Sequence, residues 1–269
     1  MCNYNFSVLM SLYFKESVSN LTECLDSLKA QTLLPSEVVI VIDGPVSSEL
    51  LECVHSYTHV LNLKIIPLEN NVGLGRALSI GIEKCNFDIV ARMDTDDVCL
   101  PNRFESQIPI IVNDHELSLL GSDIIEFSPD GSERIKSLPQ DCHAIFKYSK
   151  YKNPFNHMTV VFKKSRLDLV GGYAHHLFME DYNLWLRMID ANMKVMNIND
   201  NLVRARVNSE MLLRRRGREY IISEWELLKL KGGLKKYNHF SKYISFLIRV
   251  IPRVLPPWML NIIYNLDRK

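Results

Sequence analysis

Phe87-Asp88-Ile89-Val90-Ala91-Arg92-Met93 leads directly into Asp94-Thr95-Asp96-Asp97. The first stretch is an apolar run that predicts a buried strand. The second places three carboxylates within four residues. Strand ends are where open α/β sheets put their ligand chemistry. Carboxylates this close repel unless a positive charge sits among them. A divalent cation relieves that repulsion, and hard oxygen donors suit Mg²⁺ or Mn²⁺. The alternative is a solvated acidic turn.

Upstream of that stretch, strand and helix patterns alternate. Residues 6–13 (FSVLMSLY) and 37–43 (EVVIVID) read as strands, and the second ends in an acid and the turn signal Gly44-Pro45. Residues 18–31 carry helical spacing through Leu21, Cys24, Leu25 and Leu28. Ser47 or Ser48 can cap a helix reaching about residue 55. Residues 61–66 form a short strand, and 75–85 a helix behind the loop 69–74. This β-α-β-α-β-α-β order predicts an α/β fold, a Rossmann-like, mostly parallel sheet with helices on both faces. The second half is less regular. One or two strands are expected over 117–127, a hairpin turn at Pro129-Asp130-Gly131, and strands at 158–162 and 202–207. Helices are expected over 180–190 and 219–230.

In a parallel sheet the ends of successive strands reach one edge. Tyr13 and Glu16, Asp43, and the acidic cluster therefore converge there. The stretch Asn70-Asn71-Val72-Gly73-Leu74-Gly75-Arg76 opens a helix on the same edge; its glycines admit a close ligand, and Arg76 is a cation near a helix N-terminus. Together they describe a site for a nucleoside diphosphate. Glu180-Asp181 opens another helix, where the macrodipole favours carboxylates and an ionised one can act as general base. A helix-capping pair is the alternative there, and a structural role the alternative for His157.

The 269 residues include 47% hydrophobic side chains, enough for a sizeable core, and the net charge is +1. That charge is unevenly spread: residues 227–269 hold nine Lys/Arg and one acid (+8), and the remainder carries −7. A basic tail on an acidic body points to an anionic surface as partner. Six scattered cysteines without a CxxC pair argue against structural zinc and fit a reducing cytoplasm. No apolar run reaches the ~18 residues of a membrane span. Residues 240–266 mix apolar side chains with Lys242, Arg249 and Arg253; Pro252, Pro256 and Pro257 predict two short interfacial helices.

The motifs FSVLMSLYFKES, EVVIVIDGP, NNVGLGRAL, ARMDTDD, NPFNHMTVVFKKS with GGY, and MEDYNLWLRM, in this order, resemble the family 2 glycosyltransferases. The likeness is strongest to the bacterial enzymes that build O-antigen, capsule and exopolysaccharide repeat units, and covers residues 6 to about 216. It implies a GT-A fold over residues 1–216, with 1–127 binding the nucleotide-sugar and 128–216 the acceptor, followed by a basic helical tail at 217–269. It further implies an inverting transfer to a polyprenyl-diphosphate-linked sugar on the cytoplasmic face of the membrane, with the tail on the membrane surface and no nucleic-acid partner. Carried over by position, Tyr13, Glu16, Asp43, Gly73, Arg76, Asp94 and Thr95 would serve the donor, Asp43 at the uracil and Arg76 near the base or diphosphate. Asp94-Thr95-Asp96 matches the DxD motif, with Asp94, Asp96 and Asp97 as metal-site residues; Asp96 is the first choice for the direct ligand and Asp97 its rival. Asp181 would be the base, and His157, Glu180 and Trp185 would contact the acceptor. The first strand ends Ser11-Leu12-Tyr13-Phe14 where many relatives have Pro-x-Tyr-Asn. The QxxRW motif of processive synthases is absent; Arg204-Ala205-Arg206 and Arg214-Arg215-Arg216 do not match it, which favours transfer of a single sugar.

Two other enzyme classes use similar parts. Asp94-Thr95-Asp96-Asp97-Val98 also fits the DxDx[TV] nucleophile motif of dehalogenase-like phosphatases, but that motif normally follows the first strand of its domain. A nucleotidyltransferase would carry a glycine-rich basic loop after its first strand, where this chain has Phe14-Lys15-Glu16. A non-catalytic membrane-surface protein would leave the acidic cluster without a use.

Overall fold

The computed structural model describes residues 4–207, 217–237 and 239–254. Its first half follows the predicted alternation: β1 (Ser7–Leu12), α1 (Val18–Lys29), β2 (Glu37–Ile42), α2 (Ser48–Ser56), β3 (Leu63–Pro67), α3 (Leu74–Lys84) and β4 (Ile89–Arg92). Local chemistry sets the boundaries. Ser17 and Ser47 cap α1 and α2 by accepting from the backbone N–H groups of Asn20 and Leu50. Gly44 turns the chain after β2 at φ +83°, and a Cβ there would lie 2.6 Å from the Asn71 nitrogen.

The second half holds β5 (Val98–Cys99), α4 (Arg103–Asn113), β6 (Leu117–Phe127), β7 (Glu133–Lys136), α5 (Cys142–Ser149), β8 (Val161–Lys163), α6 (Lys164–Asp168), α7 (Glu180–Asp190), β9 (Lys194–Arg206), α8 (Arg218–Gly233) and α9 (His239–Val254). The strands form a single sheet in the order β3-β2-β1-β4-β8-β6-β9-β5, with β7 paired to β6 as the expected hairpin. β3, β2, β1 and β4 are parallel neighbours. β8 runs antiparallel between β4 and β6, which restores the first direction for β6 and β9. One sheet thus spans both halves of the chain.

Alternation along the strands feeds a core on each face. Val8, Met10 and Leu12 with Val38 and Ile40 meet α1, α2 and α4 on one side. Leu9, Val39, Val41 and Val90 meet α3 and α7 on the other. By the same alternation Arg92, two residues after Val90, points toward the α3/α7 side.

Four expectations need correction. The strand placed at 158–162 is a 3-10 turn over His157–Thr159 followed by β8, because the Thr159 hydroxyl and amide both turn back to the Asn156 carbonyl. The strand placed at 202–207 is the end of a longer β9, whose Asn199-Asp200 sits in a bulge against β6. Helices α4 and α5 had not been anticipated: Pro109 lies inside α4 and buried Arg103 and Gln107 interrupt its apolar face, while α5 buries one large apolar side chain, Ile145. Finally, α9 continues through Pro252 to Val254, so the chain does not break there. Pro256, Pro257 and the 214–216 arginines lie outside the described residues. Among the described residues no helix is long and apolar enough to cross a membrane.

Candidate active site

Asp43 and the loop before α3 form one wall. The Asp43 carboxylate accepts from the amides of Val72 (2.7 Å) and Gly73 (3.1 Å), so a buried acid at the end of β2 holds the glycine loop at the head of α3. Gly73 has φ +85° and open space beside its Cα. Arg76, one turn into α3, is exposed and has no hydrogen bond or ion pair to another described residue. Tyr13 is half-buried at the end of β1, its ring edge-on to Phe14. Glu16 accepts from the Thr95 hydroxyl at 2.7 Å, which ties the β1 loop to the acidic cluster.

Carboxylate oxygens of Asp94, Asp96 and Asp97 all lie within 4.8 Å of one another. Asp97 is 2% exposed; its Oδ1 accepts from the Arg206 amide at 2.8 Å, and its Oδ2 is buried with no partner. Burial, then Asp94 and Glu16, push the Asp96 carboxyl up to about 7. Burial, then Asp94 and Asp96, raise Asp97 well above the carboxylate range. An orphaned buried carboxylate oxygen among three hard donors is what a Mg²⁺ or Mn²⁺ ion would satisfy, so these residues fit such an ion.

Arg92 is a cation at the centre of this edge. It is 2% exposed, pairs with Asp94, and has Nε and Nη1 buried without a hydrogen-bond partner. Arg103 on α4 donates to the Arg92 carbonyl at 2.7 Å and so supports it from below. Beyond Arg92 lie His157 and Tyr173, joined by a 2.7 Å hydrogen bond. Burial and the Arg92 charge hold the His157 imidazole well below its usual pKa, so it is neutral at pH 7.

Glu180 and Asp181 occupy the first turn of α7, as predicted. Gly75 lets α3 approach that turn: a Cβ there would lie 2.9 Å from Glu180 Cβ. Burial and Asp181 push Glu180 up to about 8, so it holds its proton at neutral pH. Burial also raises Asp181, but the Asn153 side-chain amide donates to its Oδ2 at 2.6 Å and opposes the rise. Asp181 is therefore the member of the pair whose charged form is hydrogen-bonded and whose orientation is fixed, by Asn153 and by the Tyr182 amide. Burial raises the Tyr173 hydroxyl well above its usual range, with Arg92 opposing and Asp181, Glu180 and Asp94 adding to the rise.

Trp185 is not at the surface. It is 0% exposed and packs edge-on against Phe155, His157 and Tyr173, so it supports His157 and Tyr173 from the core instead of lining a pocket. Sequence reading did not single out Arg92, Asn153, Tyr173 or Arg206 as site residues. The first three lie inside the quoted motifs ARMDTDD, NPFNH and GGY; Arg206 arrives by way of β9 and donates to the Asp96 carbonyl at 3.1 Å.

The sheet edge, glycine loop and paired acidic sets together form one candidate active site. Residues 7–170 match the family described as Glycosyl transferase family 2. The chain belongs to that family and is a glycosyltransferase. It is similar to the amylovoran biosynthesis glycosyltransferase AmsE of Erwinia amylovora, 47% identical over 98% of this chain and 99% of that protein. It is 39% identical to the Escherichia coli UDP-Gal:alpha-D-GlcNAc-diphosphoundecaprenol beta-1,3-galactosyltransferase, over 93% of this chain and 90% of the other. Among solved structures, Staphylococcus aureus TarS 1–349 in complex with UDP-GlcNAc superposes with a TM-score of 0.67 at 19% identity, over 91% of this chain and 71% of that one. The chain spans 43% of the longer TarS structure. At that identity the likeness is one of fold, and it bears out the expected GT-A architecture.

The Asn153–Asp181 bond yields a pH prediction. Removing the donor in Asn153→Ala raises the Asp181 pKa, so the carboxylate is less ionised at any given pH below it. With Asp181 read as the general base, the acid limb of kcat/KM should move to higher pH and activity at neutral pH should fall. A pH–rate profile of the variant against the parent measures the shift.

Proposed function

We propose that this enzyme moves one sugar, with inversion, from a UDP-sugar to a hydroxyl of a lipid-diphosphate-linked sugar during assembly of a bacterial surface polysaccharide. The carrying observation is the division of carboxylates into two sets around Arg92. Asp94, Asp96 and Asp97 stand at the end of β4 with Glu16 and Arg206 beside them. Glu180 and Asp181 stand in the first turn of α7, where Glu180 meets Gly75 at the head of α3. The printed activity of the Escherichia coli relative and the biosynthetic name of AmsE support this substrate class.

In this reading Tyr13, Glu16, Asp43, Gly73, Arg76, Asp94 and Thr95 form the donor side. Asp43, which holds the Val72–Gly73 amides, would contact the uracil, and exposed Arg76 would lie near the base or diphosphate. Asp96 and Asp97, with Asp94, would hold Mn²⁺ or Mg²⁺. Such an ion supplies Lewis-acid stabilisation of the charge that grows on the leaving diphosphate. Asp181, ionised and oriented by Asn153, takes the proton of the acceptor hydroxyl as that oxygen bonds to C1 from the face opposite the phosphate. The C1–O bond electrons leave with UDP. Protonated Glu180 can donate a hydrogen bond to a sugar hydroxyl beside it. One base suffices, as in inverting hydrolases. A nucleotidyltransferase or phosphohydrolase leaves the Glu180-Asp181 pair without a role.

The acceptor lipid calls for a membrane face, and α9 offers one. Phe240, Tyr243, Ile244, Leu247, Ile248 and Ile251 are exposed at helical spacing, Phe240 at 73%. Arg249 faces inward, paired with Glu224, and so does not belong to that stripe. In this reading α9 lies in the headgroup region of the cytoplasmic leaflet, and each cation near an anionic surface can add ~1 kcal/mol.

Incubation with a panel of UDP-sugars, Mn²⁺ and a GlcNAc-diphospho-lipid should give UDP release with one donor. Activity should be lost in excess EDTA and restored by Mn²⁺ or Mg²⁺. Full activity in EDTA refutes the metal assignment, and phosphate or pyrophosphate release without sugar transfer refutes the reaction.

Flotation with anionic liposomes tests the surface. The protein should float at low salt, and Leu247→Glu with Ile251→Glu should abolish flotation while leaving the fold intact by circular dichroism. Unchanged flotation of that variant excludes α9 as the docking face.

A further inference from the structure

Helix α7 does not stand on the sheet alone. Its inner side packs on the core with Trp185 and Met188, while Met179, Tyr182 and Leu186 form a separate cluster with Tyr220 and Leu227 of α8. Tyr182, the residue after Asp181, is 1% exposed. Its hydroxyl donates to the Ser149 carbonyl at 2.7 Å and accepts from Lys231 Nζ at 3.0 Å. Lys231, on α8, also donates to the Lys150 carbonyl at 2.8 Å and to the Ser245 hydroxyl of α9 at 3.1 Å.

A second cation reaches the same ring. Arg249, from α9, has its guanidinium carbon 5.1 Å from the Tyr182 ring centre and Nη2 3.6 Å from the sulfur of Met179, the residue that precedes α7. Its Nε donates at 2.7 Å to Glu224, itself 1% exposed. Taking such an ion pair out of water costs energy that its attraction repays only with good geometry, so buried pairs are weak evidence for stability. Here the pair fixes a place: it brings a side chain of the outermost helix against both residues that bracket Glu180-Asp181.

We propose that Arg249, held by Glu224, is a positioning residue for the acid pair: by covering Tyr182 and Met179 it sets the first turn of α7, so that the helix bearing the exposed apolar stripe also sets the acceptor side of the site. This rests on the reading of Asp181 as general base. Misplacing a catalytic group by ~1 Å can cost ~10²-fold in rate, so a small shift of that turn is enough to matter. Donor contacts at the ends of β1, β2 and β4 lie outside the clamp, and Asp43, not α7, holds the Val72 and Gly73 amides before α3, so donor affinity should be largely kept.

The test uses the full chain in four forms: Arg249→Lys, Arg249→Met, the double variant Glu224→Gln/Arg249→Met, which removes both members of the pair, and Asp181→Asn as reference. UDP affinity with Mn²⁺ is measured by calorimetry, the melting temperature by scanning fluorimetry, and kcat for UDP release from the active donor well below that temperature. The proposal expects largely unchanged UDP affinity, a fall in kcat of about tenfold or more for Arg249→Met and for the double variant, and partial recovery in Arg249→Lys. If the double variant melts lower but turns over like the parent, the pair is structural only and the proposal is overturned. If Arg249→Met does not fold, the double variant and Arg249→Lys decide: parental kcat in both overturns it. Asp181→Asn separates the two claims. An inactive Asp181→Asn beside fully active Arg249 variants leaves the base and removes the positioning role. An active Asp181→Asn removes the base, and the proposal with it.

Discussion

Crowding of like charge at one sheet edge, relieved by a single buried arginine, is the constraint around which this site is arranged. Two unit charges no more than 4.8 Å apart repel by at least ~3–4 kcal/mol at an effective dielectric of ~20. That exceeds the ~0–1 kcal/mol of an exposed ion pair, so solvated surface charges cannot offset it. Arg92 neutralises one carboxylate of the DxD set and lowers the cost of ionising Asp96 and Asp97. It also favours ionisation of Glu180 and Asp181 on its other side. The remaining excess of negative charge is what makes the first set suited to a divalent cation and the second to taking up a proton.

The fold supplies this arrangement through strand direction and helix contact. Parallel β1, β2 and β4 deliver Tyr13, Asp43 and the acidic cluster to one edge. Placing Glu180 there requires α3 and α7 to meet head to head, and Gly75 is the residue that allows it. The neutral His157, hydrogen-bonded to Tyr173 and backed by Trp185, adds no further charge near Arg92.

What could be read from the chain depended on how locally each feature is encoded. The strands of the first half and their acidic ends are carried by apolar runs and turn residues, and they fall within two residues of where they were expected. Helix α7 announces itself by apolar spacing behind an acid pair, and its bounds agree. Arg92 and Asn153 stayed hidden because their roles are tertiary: an arginine inside an apolar run and an asparagine in a loop acquire meaning only when β4, α7 and the 150s loop come together. Trp185 was misread for the same reason, since a tryptophan on an apolar helix face has the same spacing whether it faces a pocket or the core. Helix α4 was concealed by Pro109 and by Arg103, a buried cation that serves the Arg92 carbonyl.

The division of labour between the two carboxylate sets is most directly tested by titrating UDP into Asp96→Ala and Asp181→Asn in the presence of Mn²⁺, with single-turnover transfer measured on the same preparations. The account predicts that Asp181→Asn binds UDP as the parent does and transfers nothing, while Asp96→Ala loses the Mn²⁺-dependent part of the binding. Equal loss of UDP affinity in both variants, or transfer by Asp181→Asn at the parental rate, would contradict it.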